Sequence, residues 1–358
     1  MKTTEVESPS RDTRHKEVSE LSPTKKHPIP KELESTIKRR GKENLHNPQH
    51  LNHLYTDLKL STRQIAKLTG VHSKNAVTYW LLKHNIAIRD DLTATILANR
   101  KYPRHPFTGN NQEKSYMLGL RAGDLNAQRN SCLTIKARLA TTHPAMKTLM
   151  ENTFTKYGTV YALPYFNRYS QKFEWDILVW LDNSFEFLIK KSTCIPKWII
   201  RNTGNFLSFL AGYFDAEGTV VLTQYKNRPS FSLTVATHDK NILRDAFQAL
   251  KNMGLHPRMR IHMLKGTRTC YGPQNADCWA LALYRRAEIL HLADHLPLRH
   301  PEKIRRLALL VKTFRNKRLC EVQWKDIAPD IRHLRHQIDE EVKTFAAQAK
   351  QLRLKRQE

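Results

Sequence analysis

Two stretches of this chain are built to one plan. "THPAMKTLMENTFTKYG", from Thr142, and "THDKNILRDAFQALKNMG", from Thr237, each open on Thr-His and carry apolar residues at three- and four-residue steps. Each then stops at a glycine, Gly158 or Gly254. Two β-like runs precede each stretch. Before those comes an apolar, glycine-containing segment ending in an acid: "SYMLGLRAGD" at Asp124 and "FLAGYFDAE" at Glu217. The acids lie 93 residues apart and the histidines, His143 and His238, 95 apart. Unlike features held at nearly one spacing point to a duplicated unit. Each unit reads α-β-β-α-β-β-α, so the expected fold class is α+β, with saddle-like antiparallel sheets and pseudo-twofold symmetry between the halves.

The acidic ends of the two apolar segments are the chemically pointed feature. In "FLSFLAGYFDAEG" the small residues Ala211 and Gly212 leave one helix face shallow enough for another backbone to approach, and Gly119 does the same in the other half. Gly218 suits a left-handed helix C-cap, which puts Glu217 at the helix C-terminus. Carbonyl dipoles there already carry negative charge, so an acid is misplaced by about 0.3–1 kcal/mol. If the two helices pack side by side, Asp124 and Glu217 meet. A hard divalent cation, Mg²⁺, reverses the local sign, and it also bridges to phosphate oxygens. Two acids with metal in a basic setting fit phosphodiester hydrolysis. Asp215, two residues before Glu217, reads as a structural residue in the turn.

The setting is basic: sixty Lys and Arg against thirty-three Asp and Glu give a formal net charge of +27. A folded chain with such an excess calls for a polyanionic partner, and double-stranded DNA is the first candidate. Period-two alternation puts Lys136 and Arg138 on the face opposite Ile135 and Ala137, and Arg258, Arg260 and His262 opposite Met259, Ile261 and Met263. Such basic sheet faces suit a nucleic-acid groove. No basic amphipathic helix or lipidation site stands out and no charge-free run reaches spanning length, so a membrane is not expected as partner. Five scattered Cys, none in CxxC spacing, indicate neither a disulfide framework nor a zinc site. No targeting signal is visible, and the expected location is the cytoplasm, in association with the nucleoid.

"LAGYFDAEG", Leu210 to Gly218, resembles the LAGLIDADG motif of homing endonucleases, with Glu217 at the metal-binding acid position. "MLGLRAGDL", Met117 to Leu125, resembles a divergent first copy with Asp124 at that position. Glu217 replaces the usual Asp, and Leu125 stands where Gly is usual. The resemblance covers about 115–314. It implies a monomer with an internal pseudo-dimer, a Mg²⁺-dependent staggered double-strand break at a long site, and one motif acid assisting at each strand. It further suggests His143 and His238 as residues ordering water near the metals, with a helix-capping context as the alternative. Lys190 or Lys191, and Arg299 or Lys303, match the basic residues that support the family's site; Lys191 and Lys303 are the catalytic candidates.

The remainder divides by composition. Residues 1–45 read as a disordered arm and 46–92 as an all-α helix-turn-helix domain. Residues 93–114 read as a Pro-rich linker, 115–200 and 201–314 as the two units, and 315–358 as a helical tail. In "LSTRQIAKLTGVHSKNAVTYWLLKHNI", Ser61 or Thr62 can cap a first helix, Gly70 breaks it, and Ser73 begins a second. The stretch resembles resolvase-like helix-turn-helix domains. It offers His72, Ser73, Lys74, Asn75 and Thr78 to a major groove, with Ser73, Lys74, Asn75 and Thr78 as the DNA-binding candidates. Two other functions share this architecture: a non-catalytic transcription regulator, and a maturase acting on intron RNA.

Overall fold

The structure is a computed structural model, and it describes residues 30–98, 104–168, 170–225, 228–269, 272–316 and 323–355. The chain forms two compact units, residues 1–103 and 104–358.

The first unit is helical throughout its described part. Helices α1 (Lys31–Arg40), α2 (Glu43–His46) and α3 (Pro48–Asn52) lead through a π-helical turn, His53–Asp57, to α4 (Thr62–Thr69), α5 (Lys74–Lys83) and α6 (Asp91–Ala98). The expected disordered arm over 1–45 gives way from Lys31 onward. Ile37 and Leu45 are buried with Leu51, Ile65, Val77 and Leu81 in one core, so those residues gain apolar burial that a solvated arm would lack. Residues 1–29 lie outside the described part. Ser61 caps α4 by accepting from the Gln64 amide, while Gln64 reaches back to the Ser61 amide. Gly70 ends α4 at φ 69°, a left-handed conformation that favours glycine. Ser61→Ala removes the hydroxyl that accepts from the Gln64 amide and keeps the backbone amide that Gln64 reaches back to. It is expected to lower the stability of this unit by about 1 kcal/mol in a denaturant titration.

The second unit holds the duplication. Its first half runs α7 (Asn111–Ala122), β1 (Asn126–Ser131), β2 (Thr134–Thr141), α8 (Pro144–Phe154), β3 (Val160–Asn167), β4 (Lys172–Asp182), a 3₁₀ turn Asn183–Leu188 and the short α9 (Lys197–Ile200). Its second half runs α10 (Thr203–Glu217), β5 (Gly218–Tyr225), β6 (Arg228–Thr237), α11 (Lys240–Asn252) and β7 (Arg258–Met263). A small hairpin of β8 (Arg268–Thr269) and β9 (Gly272–Pro273) follows, then β10 (Cys278–Leu283), α12 (Arg286–His295) and α13 (Pro301–Asn316). The two large sheets are antiparallel and share one strand order, β1-β2-β4-β3 and β5-β6-β10-β7. Period-two burial along β2 sends Ile135, Ala137 and Leu139 into the core and leaves Lys136 and Arg138 half-buried on the opposite face.

One boundary moves. The stretch expected as linker, 93–114, contains the end of α6 and the start of α7. Within it Phe107 packs against Tyr157, Phe185 and Phe187, with ring centroids 5.2–5.7 Å apart, so an aromatic anchor ties it to the first half. The tail carries α14 (Trp324–Leu354), which packs on β3, β4, α8 and α13. Trp175 stacks on Phe345 at 4.9 Å and donates its indole N–H to the Phe345 carbonyl at 2.8 Å. No helix among the described residues is long and apolar enough to cross a membrane.

Candidate active site

The two motif helices, α7 and α10, lie against each other through reciprocal glycine notches. A methyl group placed on Gly119 would lie 2.1 Å from the Phe209 carbonyl oxygen and 2.7 Å from the Tyr213 nitrogen. One placed on Gly212 would lie 2.0 Å from the Tyr116 oxygen and 3.1 Å from the Leu120 nitrogen. Phe209 and Tyr213 are the images of Tyr116 and Leu120 at the 93-residue offset that separates the acids. The contact is therefore a pseudo-twofold in residue detail, with backbone on backbone.

This crossing carries the helix ends together. Glu217 is the last residue of α10, whereas α7 stops at Ala122 and Asp124 lies two residues beyond it, exposed. Leu125, at the position of Gly218, is buried instead. A methyl on Gly123 would lie 2.4 Å from Ala216 Cβ and 3.5 Å from Glu217 Oε1, so the Glu217 carboxylate reaches across to the other half. Burial raises the Glu217 carboxyl above its usual range and the neighbouring Asp124 charge raises it further, against the pull of Lys191 and Lys303. Gly218 is not a left-handed cap: its φ is −82° in extended backbone, and it is needed because a side chain there would strike the Phe214 ring at 2.3 Å.

Both candidate lysines sit at the C-terminal carbonyls of a motif helix, where a cation offsets the dipole. Lys303 Nζ donates to the carbonyls of Phe214 at 2.7 Å, Asp215 at 2.7 Å and Ala216 at 3.1 Å. Burial lowers its pKa to about 8, although four surrounding carboxylates hold the charge on. Lys191 is more exposed; its Nζ donates to the Gly123 carbonyl at 3.3 Å and lies 3.9 Å from Asp239. Asp215 proves to be more than a turn residue. It is fully buried and accepts from the Tyr116 hydroxyl of the other half at 2.6 Å and from the Arg299 amide at 2.7 Å. Burial lifts its carboxyl above the usual range despite those bonds.

The histidines have partners of their own. His143 Nδ1 lies 3.3 Å from Glu302, and His238 Nδ1 bonds the Asp277 carbonyl at 3.2 Å. Burial alone would raise the Glu302 carboxyl, but the His143 bond and the Arg306 charge hold it down at about 2. Beside it His300 is buried, which together with Lys303 lowers its pKa to about 3. The order of the pKa values sets the sign: unfolded His300 takes a proton near pH 6.5 that the folded protein refuses down to about 3. Stability is therefore expected to fall as pH drops from about 6.5 toward 3, and His300→Gln to flatten that fall in thermal melts. Asp239 and the Glu302–His300 cluster gave no motif in the sequence, since they gather only when the halves close on each other.

Of the other candidates, Arg138 is half-buried and paired with Asp176 at 3.1 Å, and Lys136 is half-buried beside it. Arg258, Arg260 and His262 are exposed on β7. In the first unit Ser73 caps α5, accepting from the Asn75 amide at 3.1 Å, and Thr78 donates to the Lys74 carbonyl. Lys74 and Asn75 are exposed at the front of that helix.

Comparison with solved structures finds homing endonuclease I-WcaI bound to its DNA recognition sequence, at 14% identity over 56% of this chain and 88% of that one, with a TM-score of 0.39. I-DmoI in complex with DNA and Ca is 15% identical over 55% and 96%, with a TM-score of 0.36. The N-terminal LAGLIDADG domain of DUF199/WhiA is 14% identical over 54% and 87%, also at 0.36. No curated protein matches the chain. The family model described as a LAGLIDADG-like domain matches residues 206–297. That stretch opens in α10 and spans the second sheet. Residues 206–297 thus match a LAGLIDADG-like domain, and the first half of the second unit repeats the strand order of that sheet.

Proposed function

We propose that this protein is a site-specific DNA endonuclease of the homing type, hydrolysing phosphodiester bonds in both strands of a long asymmetric site as a monomer. The observation that carries this reading is the meeting of Asp124 and Glu217 at the ends of two helices locked by Gly119 and Gly212. Among the described residues no group of three or more His, Cys, Asp or Glu could hold an ion by itself. Two carboxylates do fit Mg²⁺, which takes oxygen ligands and leaves much of its shell to water and phosphate. Bound by Asp124 and Glu217, Mg²⁺ would supply an activated water and charge stabilisation at the leaving oxygen.

The lysines then divide the remaining work. An ammonium group has three donors. Lys303 uses all three on α10 carbonyls, which fixes the helix end and with it Glu217. Lys191 gives one to Gly123 and keeps others for a phosphate oxygen. His143 and His238, at the ends of β2 and β6, are the residues to order attacking water. Lys136, Arg138, Arg258, Arg260 and His262 would contact DNA from the sheets, and Lys74, Asn75 and Thr78 from α5. A plasmid library of random inserts, incubated with Mg²⁺ or with EDTA, tests the reading. Mg²⁺-dependent linear product from one insert sequence is expected. Sequence-specific binding without cutting would support a transcription regulator, and preference for intron RNA would support a maturase.

A further inference from the structure

The two halves are not equal in the charge they offer outward. In the second half Arg258, Arg260 and His262 stand exposed on β7, an edge strand, and Lys265 and Arg268 stand exposed just beyond it. No acid occurs from Leu255 to Ala276. The next one, Asp277, turns its carboxylate to the Lys265 amide at 2.8 Å and so pins the base of the hairpin. Gly266 N to Gln274 O at 2.8 Å and Gln274 N to Thr267 O at 3.0 Å tie the two sides of the hairpin together. Arg258 and Arg260 pair with Ala282 and Ala280 of β10, so they stand on the face away from the Leu281 and Leu283 side of the core.

The image of this region in the first half is different in kind. Its edge strand β3, "VYALPYFN", has no charged residue, and only residues 168–171 join it to β4. On the first half's sheet Lys136 and Arg138 lie on the interior strand β2, where Arg138 is neutralised by Asp176; Arg129 on β1 is paired with Glu186, and Arg168 and Lys172 flank the β3–β4 turn.

We propose that β7 and the β8–β9 hairpin form a basic arm through which the second half alone holds the phosphate backbone of duplex DNA beyond the central site. This rests on the endonuclease reading and deepens it. Phosphate contacts position a protein without reading sequence, so the arm would anchor one side of an asymmetric site. B-form DNA is the partner the geometry favours. Its major groove admits a two-stranded ribbon, which lets the hairpin lie in the groove with its basic side chains against the phosphates on either side.

The test measures binding to a fluorescein-labelled duplex of mixed sequence, in EDTA, across a NaCl series. Lys265→Gln with Arg268→Gln is expected to reduce the slope of log K against log salt by about 1.8, two contacts at about 0.9 each. Arg168→Gln with Lys172→Gln, in the corresponding connection of the first half, is expected to leave the slope unchanged. Thermal melts of both variants should match the parent, since all four side chains lie in strand connections or at a strand start. An unchanged slope in the hairpin variant overturns the arm and leaves the charge as mere protection of an edge strand. Equal losses from both variants overturn its one-sidedness. A slope change seen with duplex RNA and not with DNA makes the partner RNA. Absence of any salt-dependent binding by the parent protein sinks the endonuclease reading itself.

Discussion

Asp124→Asn and Glu217→Gln should each abolish double-strand cutting while leaving the protein folded and DNA-bound. Losing a ligand that places charge at the reacting phosphate removes several kcal/mol from the transition state, and about 4 kcal/mol corresponds to roughly a thousandfold in rate. Stability should move the other way for Glu217. Its carboxyl is pushed above the usual range by burial and by Asp124, so the ionised form is disfavoured in the folded state. At neutral pH an uncharged glutamine removes that cost, and the melting temperature should rise. Cleavage of target plasmid in Mg²⁺, gel-shift affinity in EDTA and a thermal melt separate these effects. A Glu217→Gln protein that still cuts at the parental rate would end the assignment of this acid.

Gly119→Ala and Gly212→Ala carry the second large effect. On a solvated helix the change would help, because alanine is the better helix former by about 1 kcal/mol. Here the added carbon would lie 2.1 or 2.0 Å from a carbonyl oxygen of the facing helix, and backbone cannot swing aside as a side chain can. The helices must separate, at a cost of about 3 kcal/mol or more. For a domain of this size that lowers the melting temperature by about 6–12 °C. Combining the two changes should cost less than their sum, since either one already opens the same crossing. Separation of the helices also spreads their acidic ends, so cutting should fall more steeply than binding.

Much of this site is written in local sequence. The reciprocal glycines, the two acids and the lysine candidates each stand in a readable pattern, because the duplication repeats helix, strands and helix at one spacing. What sequence did not carry was the commitment of each side chain. Lys191 and Lys303 read as equivalents, yet Lys303 is half-buried on three carbonyls and Lys191 is exposed on one. Arg138 and Arg260 read as matching face residues, yet Asp176 meets only the first. Ser73, read both as the start of α5 and as a groove candidate, is exposed and accepts from the Asn75 amide. Gly218 read as a left-handed cap and is demanded by the Phe214 ring. These outcomes depend on which long-range neighbour arrives, and period-two or three-and-four spacing says nothing about that. Helices α1 and α2 were missed because a polar, Pro-flanked stretch hides their core residues, Ile37 and Leu45.

Asp215 has one further consequence. Its image in α7, at the same offset, is Ala122, so the buried carboxylate occurs on one side of the axis only. It is served there by Tyr116 and by the Arg299 amide. A symmetric assembly made by joining two copies of the second half would bury this acid twice. The facing tyrosine would be lost as well, because the image of Tyr116 is Phe209. The halves of this chain are thus no longer interchangeable parts: joining them has let each specialise around the other, and an engineer recombining them would need to carry the tyrosine and the aspartate as one set.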